Sequence, residues 1–317
     1  PQLITLGLIE SAAVFVLVLI VMLGLGFGGA GGAFAAAIAV STSPAITIAT
    51  SSDVGGEGPR TSRLFGLVAL NGSLAFAAID LILPSLAESG ATEAMPGYGH
   101  AVASIGLSVV LGAGLAFAAR QGARWLGPQV EHQHLMLLGL IIVGTGLPLS
   151  VEMSPLMSLL AFGVGVRVLD RGREVVAIRI ASDARVFLVV TFVLAGAALE
   201  LAFLRTHWPT VLAFVLTRFL ARGLALQLAG PTFGLPRREA AWTAVGLLPM
   251  SSVALVLLGD AGALDGGIGP ALSGTLLGAI ALMQLLGPLC TQAAIRGFGE
   301  ARRYVPRLGQ GRGWSRR

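Results

Sequence analysis

The chain has 317 residues, of which 55% are hydrophobic and only 12% charged, with a mean hydropathy of +0.85. That is too apolar for a soluble core under a polar coat, and it reads as a membrane protein. The net charge of +5 comes from 21 basic residues, all arginine; they fall between apolar stretches rather than on one surface, which argues against a nucleic-acid binder.

Ten segments approach the roughly 20 apolar residues that a spanning helix needs. In chain order they cover 3–24, 28–50, 62–87, 99–120, 132–150, 153–168, 184–204, 208–230, 238–259 and 268–295. The first is too long for a cleavable signal peptide and lacks a small-residue cleavage site after it. The sixth is short, and the second and ninth are interrupted by proline. Loops after the second, fourth, sixth and eighth spans, with the tail, hold eighteen arginines, whereas the alternate loops hold only Arg205. This asymmetry predicts a multi-pass protein with both termini cytoplasmic, in the plasma (inner) membrane, divided into a transmembrane domain over 1–295 and a basic cytoplasmic tail over 296–317. The remaining two arginines, Arg218 and Arg222, lie inside the eighth span. A charge there costs about 2.5–3.5 kcal/mol on insertion scales, so the pair needs a partner or water; four residues apart, the two share a helix face.

The second span reads "AAAIAVSTSPAITIATSS". Pro44 removes a backbone donor in its middle, and Ser41, Thr42 and Ser43 stand where the helix breaks. The ninth repeats the device in "GLLPMSSVALVLL", with Pro249 followed by Ser251 and Ser252. Two proline-interrupted spans in the two halves of a chain this size point to a transporter site at the membrane midplane. Spans 1–3 and 8–10 each carry the broken member in the middle and enter from opposite sides, the order expected of an inverted repeat. The expected fold is an all-α membrane protein of about ten helices, with two discontinuous helices crossing at the midplane.

These motifs resemble the monovalent cation:proton antiporter superfamily. "STSPAITIATSS" and "EGPRTSRLFGLVALNGSLAF" look like that family's serine/threonine-proline break and the next helix, which carries Asn-Asp or Asp-Asp. "FVLAGAALEL", "TRFLARGLALQLAG" and "REAAWTAVGLLPMSSVALVLL" are similar, in the same order, to later helices. The resemblance implies exchange of Na⁺ or K⁺ for protons by alternating access, a homodimer, no cofactor, and first two or three helices that are absent here, in keeping with a chain that begins at Pro1. In the family the carboxylate after the asparagine binds the ion and pairs with a basic residue at the position of Arg222. Asn71 matches the asparagine, but Gly72 stands where the carboxylate belongs.

The candidate substrate-binding residues are therefore Thr42, Ser43, Asn71, Ser73, Arg218, Arg222 and Ser251, with Asp80 as a possible proton-coupling group. Each has a plainer alternative: Asn71 can bond between helices, Gly72 and Ser73 can allow close packing, Arg218 can snorkel, and Asp80 can cap a helix end. Asp80 lies about 12 Å along the helix from Gly72 and roughly 80° around it, so it does not take that place. Glu10, near the inner end of the first span, and Glu200 read as structural or interfacial. His132 and His134 read as solvated rather than metal-binding, "GFGGAGG" as a loop, and Cys290 as a small buried hydrophobe. No nucleophile–base pair indicates an enzyme. Without an acid at position 72, two alternatives stay open: an anion or organic-acid transporter on the same scaffold, which arginines would favour, and a non-transporting subunit of a complex.

Overall fold

The computed structural model describes residues 2–88, 98–151, 153–170, 175, 193, 201–263 and 268–301. Within them every regular element is a helix: α1 (Gln2–Gly24), α2 (Gly29–Val40), α3 (Pro44–Val54), α4 (Pro59–Glu88), α5 (Tyr98–Leu126), α6 (Val130–Ser150), α7 (Pro155–Leu169), α8 (Leu201–Ala229), α9 (Arg237–Gly246), α10 (Val253–Ala263) and α11 (Pro270–Phe298). Seven stretches among the described residues are long and apolar enough to cross a membrane, the α2–α3 pair counted as one, and α7 is a shorter apolar helix. The chain is a multi-pass membrane protein. Most of the expected span 184–204, and the basic tail beyond residue 301, lie outside the described residues.

Both predicted breaks are present. Pro44 has no N–H to continue α2, so the chain leaves the helix at Ser41 and restarts with Pro44 in the first turn of α3. Ser43 caps the restart, its Oγ accepting from the amide of Ile46 at 3.3 Å. Leu247–Ser252 interrupts the other span around Pro249, and the Ser251 Oγ accepts from the amide of Val253 at 3.3 Å.

The helices sort into two bundles. In the larger, α1 packs on α2, α4 and α8, and α11 packs on α3, α8 and α9; in the smaller, α5, α6 and α7 pack on one another, and α4 touches both α5 and α7. Helix α2 occupies the centre of the larger bundle, with Phe34 through Val40 all buried. Its alanines let neighbours approach closely, and Val14, Val18, Phe214, Leu276 and Ile280 close around it. Residues such as Ile20, Val110, Ile142, Leu228 and Leu285 are exposed, as an outer surface in contact with lipid requires.

Helices α1 and α4 pack side by side. A Cβ on Gly7 would press on the end of the Leu70 side chain, which would have to turn away. One turn further along α1 is Glu10, and next to Leu70 is Asn71. The arginine-rich end of the larger bundle is clasped by Glu300, which accepts from the amides of Arg60 (3.0 Å) and Thr61 (2.7 Å) and from the Thr61 hydroxyl (2.8 Å). Arg60 in turn donates to Glu239 at 2.7 Å and to the carbonyl of Phe298 at 2.7 Å. Partial burial pushes the Glu300 carboxyl up, but the hydrogen bonds from Thr61 and Arg60 outweigh it and hold it below its ordinary value.

Candidate functional site

The two breaks cross and are tied together. The amide of Ser43 donates to the carbonyl of Pro249 at 3.0 Å, so the unwound residues of one span serve those of the other. The ends of α2 and α9 that meet here are both C-terminal, and each carries unpaired carbonyls and roughly half a negative charge.

Arg218 and Arg222 reach these ends from α8, and both side chains are fully buried. The Arg218 guanidinium donates to the carbonyls of Ala39 (2.7 Å) and Ser41 (2.8 Å) at the end of α2, and to those of Leu248 and Leu247 (3.3 Å) at the end of α9. Its planar fork spans both breaks, which a lysine ammonium does not do. Arg222 donates to the carbonyls of Ala39 (3.1 Å) and Val40 (2.8 Å), and its remaining terminal nitrogen meets Glu10 at 2.8 Å.

Glu10 is the acid that sequence reasoning placed in a structural role near the end of α1. It is fully buried; one carboxylate oxygen takes the Arg222 contact and the other accepts from the Asn71 side-chain amide at 2.8 Å. The Asn71 carbonyl oxygen accepts from Ser11 at 3.0 Å, which orients the amide so that its N–H₂ faces Glu10. The signal that was available lies in α1 itself: Glu10 is the one charge in an otherwise apolar spanning helix, and Gly7 one turn before it marks a close approach. Two guanidinium charges, one carboxylate and two half-charged helix ends sum to about zero, so the cluster is neutral despite its depth.

Of the candidates from the sequence, Thr42, Ser43, Arg218, Arg222 and Ser251 lie at the crossing, and Asn71 joins it through Glu10. Ser73 does not: two residues from Asn71, it points to the other side of α4, and its hydroxyl donates to the carbonyl of Ala69 at 2.8 Å in its own helix. Asp80 also stands apart. It lies further along α4, with the Ser154 hydroxyl beside its carboxyl, while its Oδ2 is buried without a partner. Ser154 caps α7, so Asp80 bridges the two bundles. Gly72 is buried, yet a Cβ built on it meets no atom within 4 Å. The position where the resemblance expects a carboxylate therefore has room for a side chain.

A family model described as "Sodium/hydrogen exchanger, transmembrane" matches residues 2–296. The chain belongs to the sodium/hydrogen exchanger family. No curated protein matches it. Among solved structures it is similar to the sodium proton antiporter MjNhaP1 from Methanocaldococcus jannaschii at pH 8, with a TM-score of 0.65 and 20% sequence identity over 94% of this chain and 77% of that one. At that identity the likeness establishes a shared fold. The monovalent cation:proton antiporter resemblance read from the motifs is thus supported by both sequence family and architecture.

Proposed function

We propose that this protein exchanges a monovalent cation, Na⁺ or K⁺, for protons by alternating access, and that Glu10 supplies the carboxylate that position 72 lacks. The observation that carries this reading is the fully buried Glu10, shared by Arg222 and Asn71 beside the crossed breaks. A buried acid in a membrane span is functional by default. Here it stands where a cation or a proton would each displace the Arg222 contact, so the two compete for one carboxylate. Asp80, at the seam between the bundles, is a second group through which proton binding can act on their relative movement. Membership of the sodium/hydrogen exchanger family supports the exchange. Orientation with the arginine-rich ends in the cytoplasm, a plasma-membrane location and a homodimer belong to the same proposal.

Proteoliposomes loaded with a pH-sensitive dye and given Na⁺, K⁺ or Li⁺ test it. The parent is expected to dissipate a proton gradient with at least one of these ions, and Glu10→Gln to lose that response while remaining folded. A second reading, transport of a carboxylate or bicarbonate, is favoured by one observation: the Nε of Arg222 is buried with no acceptor. Uptake of a labelled anion without cation-dependent proton movement would select it.

A further inference from the structure

Ser11 spends its proton differently from other hydroxyls inside the helices. Thr47, Ser73, Ser108 and Thr145 each donate to the carbonyl four residues back, the usual partner of a hydroxyl within a helix. Ser11, buried on α1, reaches across to α4 instead and donates to the Asn71 side-chain oxygen at 3.0 Å. Glu10 and Ser11 are consecutive, and both hold the same amide: Ser11 takes its oxygen, Glu10 its nitrogen at 2.8 Å.

That shared grip matters when a proton arrives. An ionised carboxylate only accepts hydrogen bonds, so it draws the N–H₂ toward itself; a protonated one has an O–H to give and is better served by the amide oxygen. Turning the amide to present that oxygen would break the Ser11 bond. The charged groups facing Glu10 are Arg222, at 2.8 Å, and Arg218 one turn away on α8; α2 contributes the carbonyls of Ala39 and Val40, which Arg222 holds. Gly230–Phe233, which also packs on α1, has no ionisable side chain. The Asn71 amide itself bonds Glu10 and Ser11, so its orientation is in the hands of these two residues.

We propose that Ser11 is a positioning residue for the exchange: by holding the Asn71 amide with its N–H₂ toward Glu10, it tips the contest for that carboxylate toward the cation and away from the proton, and so sets the pH at which exchange begins. Without the hydroxyl the amide turns freely, and the protonated carboxyl gains an acceptor. The consequence for transport rests on the exchange reading above; the control of the Glu10 proton does not, so each can fail separately.

Two measurements separate them. The infrared carboxylic-acid band that disappears in Glu10→Gln follows the proton on Glu10 in purified protein, whether or not anything is transported; proteoliposome exchange over a range of pH follows the function. In Ser11→Ala both midpoints are expected to rise by about 0.5–1 pH unit, and in Ser11→Thr, which keeps the hydroxyl, to return to the parent's. Added to Asn71→Ala, Ser11→Ala should move neither midpoint further, because it acts through that amide. Should Ser11→Ala not fold, Ser11→Cys, whose thiol is a weak donor, takes its place with the same expected direction. An unmoved infrared midpoint overturns the inference, as does a shift that Ser11→Thr fails to reverse or that Ser11→Ala still produces without Asn71. An infrared midpoint that moves while the exchange profile stays leaves the hydrogen-bond chain standing and overturns Glu10 as the exchange site; a Glu10 band that never appears overturns both.

Discussion

Glu10 and Arg222 lie 212 positions apart in the chain and meet at 2.8 Å with neither side chain exposed. Removing one member of such a pair leaves the other charge buried alone, at a cost of about 3–5 kcal/mol. Arg222→Met is therefore expected to lower thermal stability in detergent by an amount in that range. The double variant Glu10→Gln/Arg222→Met should be less destabilised than the sum of the two single changes by at least 1 kcal/mol, a coupling that a thermodynamic cycle measures.

Arg218 tests a different part of the cluster. Its guanidinium holds carbonyls from both breaks, and hydrogen bonds to a charged group are worth about 1.5–3 kcal/mol each when a partner is lost. Arg218→Lys keeps the charge but not the fork. Amide exchange at residues 39–43 and 247–252 should speed up together in that variant, with little change in α5–α7. Loosening of one break alone would show that the fork does not couple them.

Gly72→Asp restores the acid at a place where the neighbouring atoms leave room for a side chain. It adds a second carboxylate one residue from Asn71 and is expected to strengthen cation affinity. At a concentration one hundred times Kd the bound ion would add about 2.7 kcal/mol to stability, visible as a rise in melting temperature with Na⁺, Li⁺ or K⁺ that the parent does not match. Equal shifts in both proteins would remove this position from the site.

The fold was legible in the sequence to a large degree, because lipid forces backbone polarity inward and leaves long apolar runs with few solutions. Pro44 and Pro249 announced their breaks through the missing donor, and Arg218 and Arg222 announced themselves by charge. Glu10 was harder to assign. Its role depends on α1 and α8 being neighbours, a long-range packing fact that no local spacing encodes, and its location near a helix end invited a bland interpretation. Ser73 misled in the opposite way: adjacent to Gly72 in the motif, it turns away on the helical wheel and spends its hydroxyl on its own backbone.

The clasp at the arginine-rich end gives a pH prediction. The Glu300 carboxyl titrates below its ordinary 4.5, so ionised Glu300 favours the folded state. Its contribution is complete above the unfolded value and disappears as the pH falls through the folded one. Melting temperature should therefore drop as the pH is lowered below about 4.5, and Glu300→Gln should flatten that part of the profile while lowering stability at neutral pH. A profile identical to the parent's would show that the clasp contributes nothing.

Asp80 on α4 meets Ser154 at the cap of α7, on the contact between the two bundles. Asp80→Asn keeps the shape and removes the ionisation. The expected result is exchange that persists with a displaced pH dependence, read from the same dye assay at several external pH values; an unaltered dependence would confine Asp80 to holding the seam.

The bond from the Ser43 amide to the Pro249 carbonyl has a mechanical meaning. Arg218 fastens the same two segments a second time, so neither interrupted span is free to slide along the membrane normal without dragging its counterpart. A displacement confined to one of the two spans would first have to tear that double stitch.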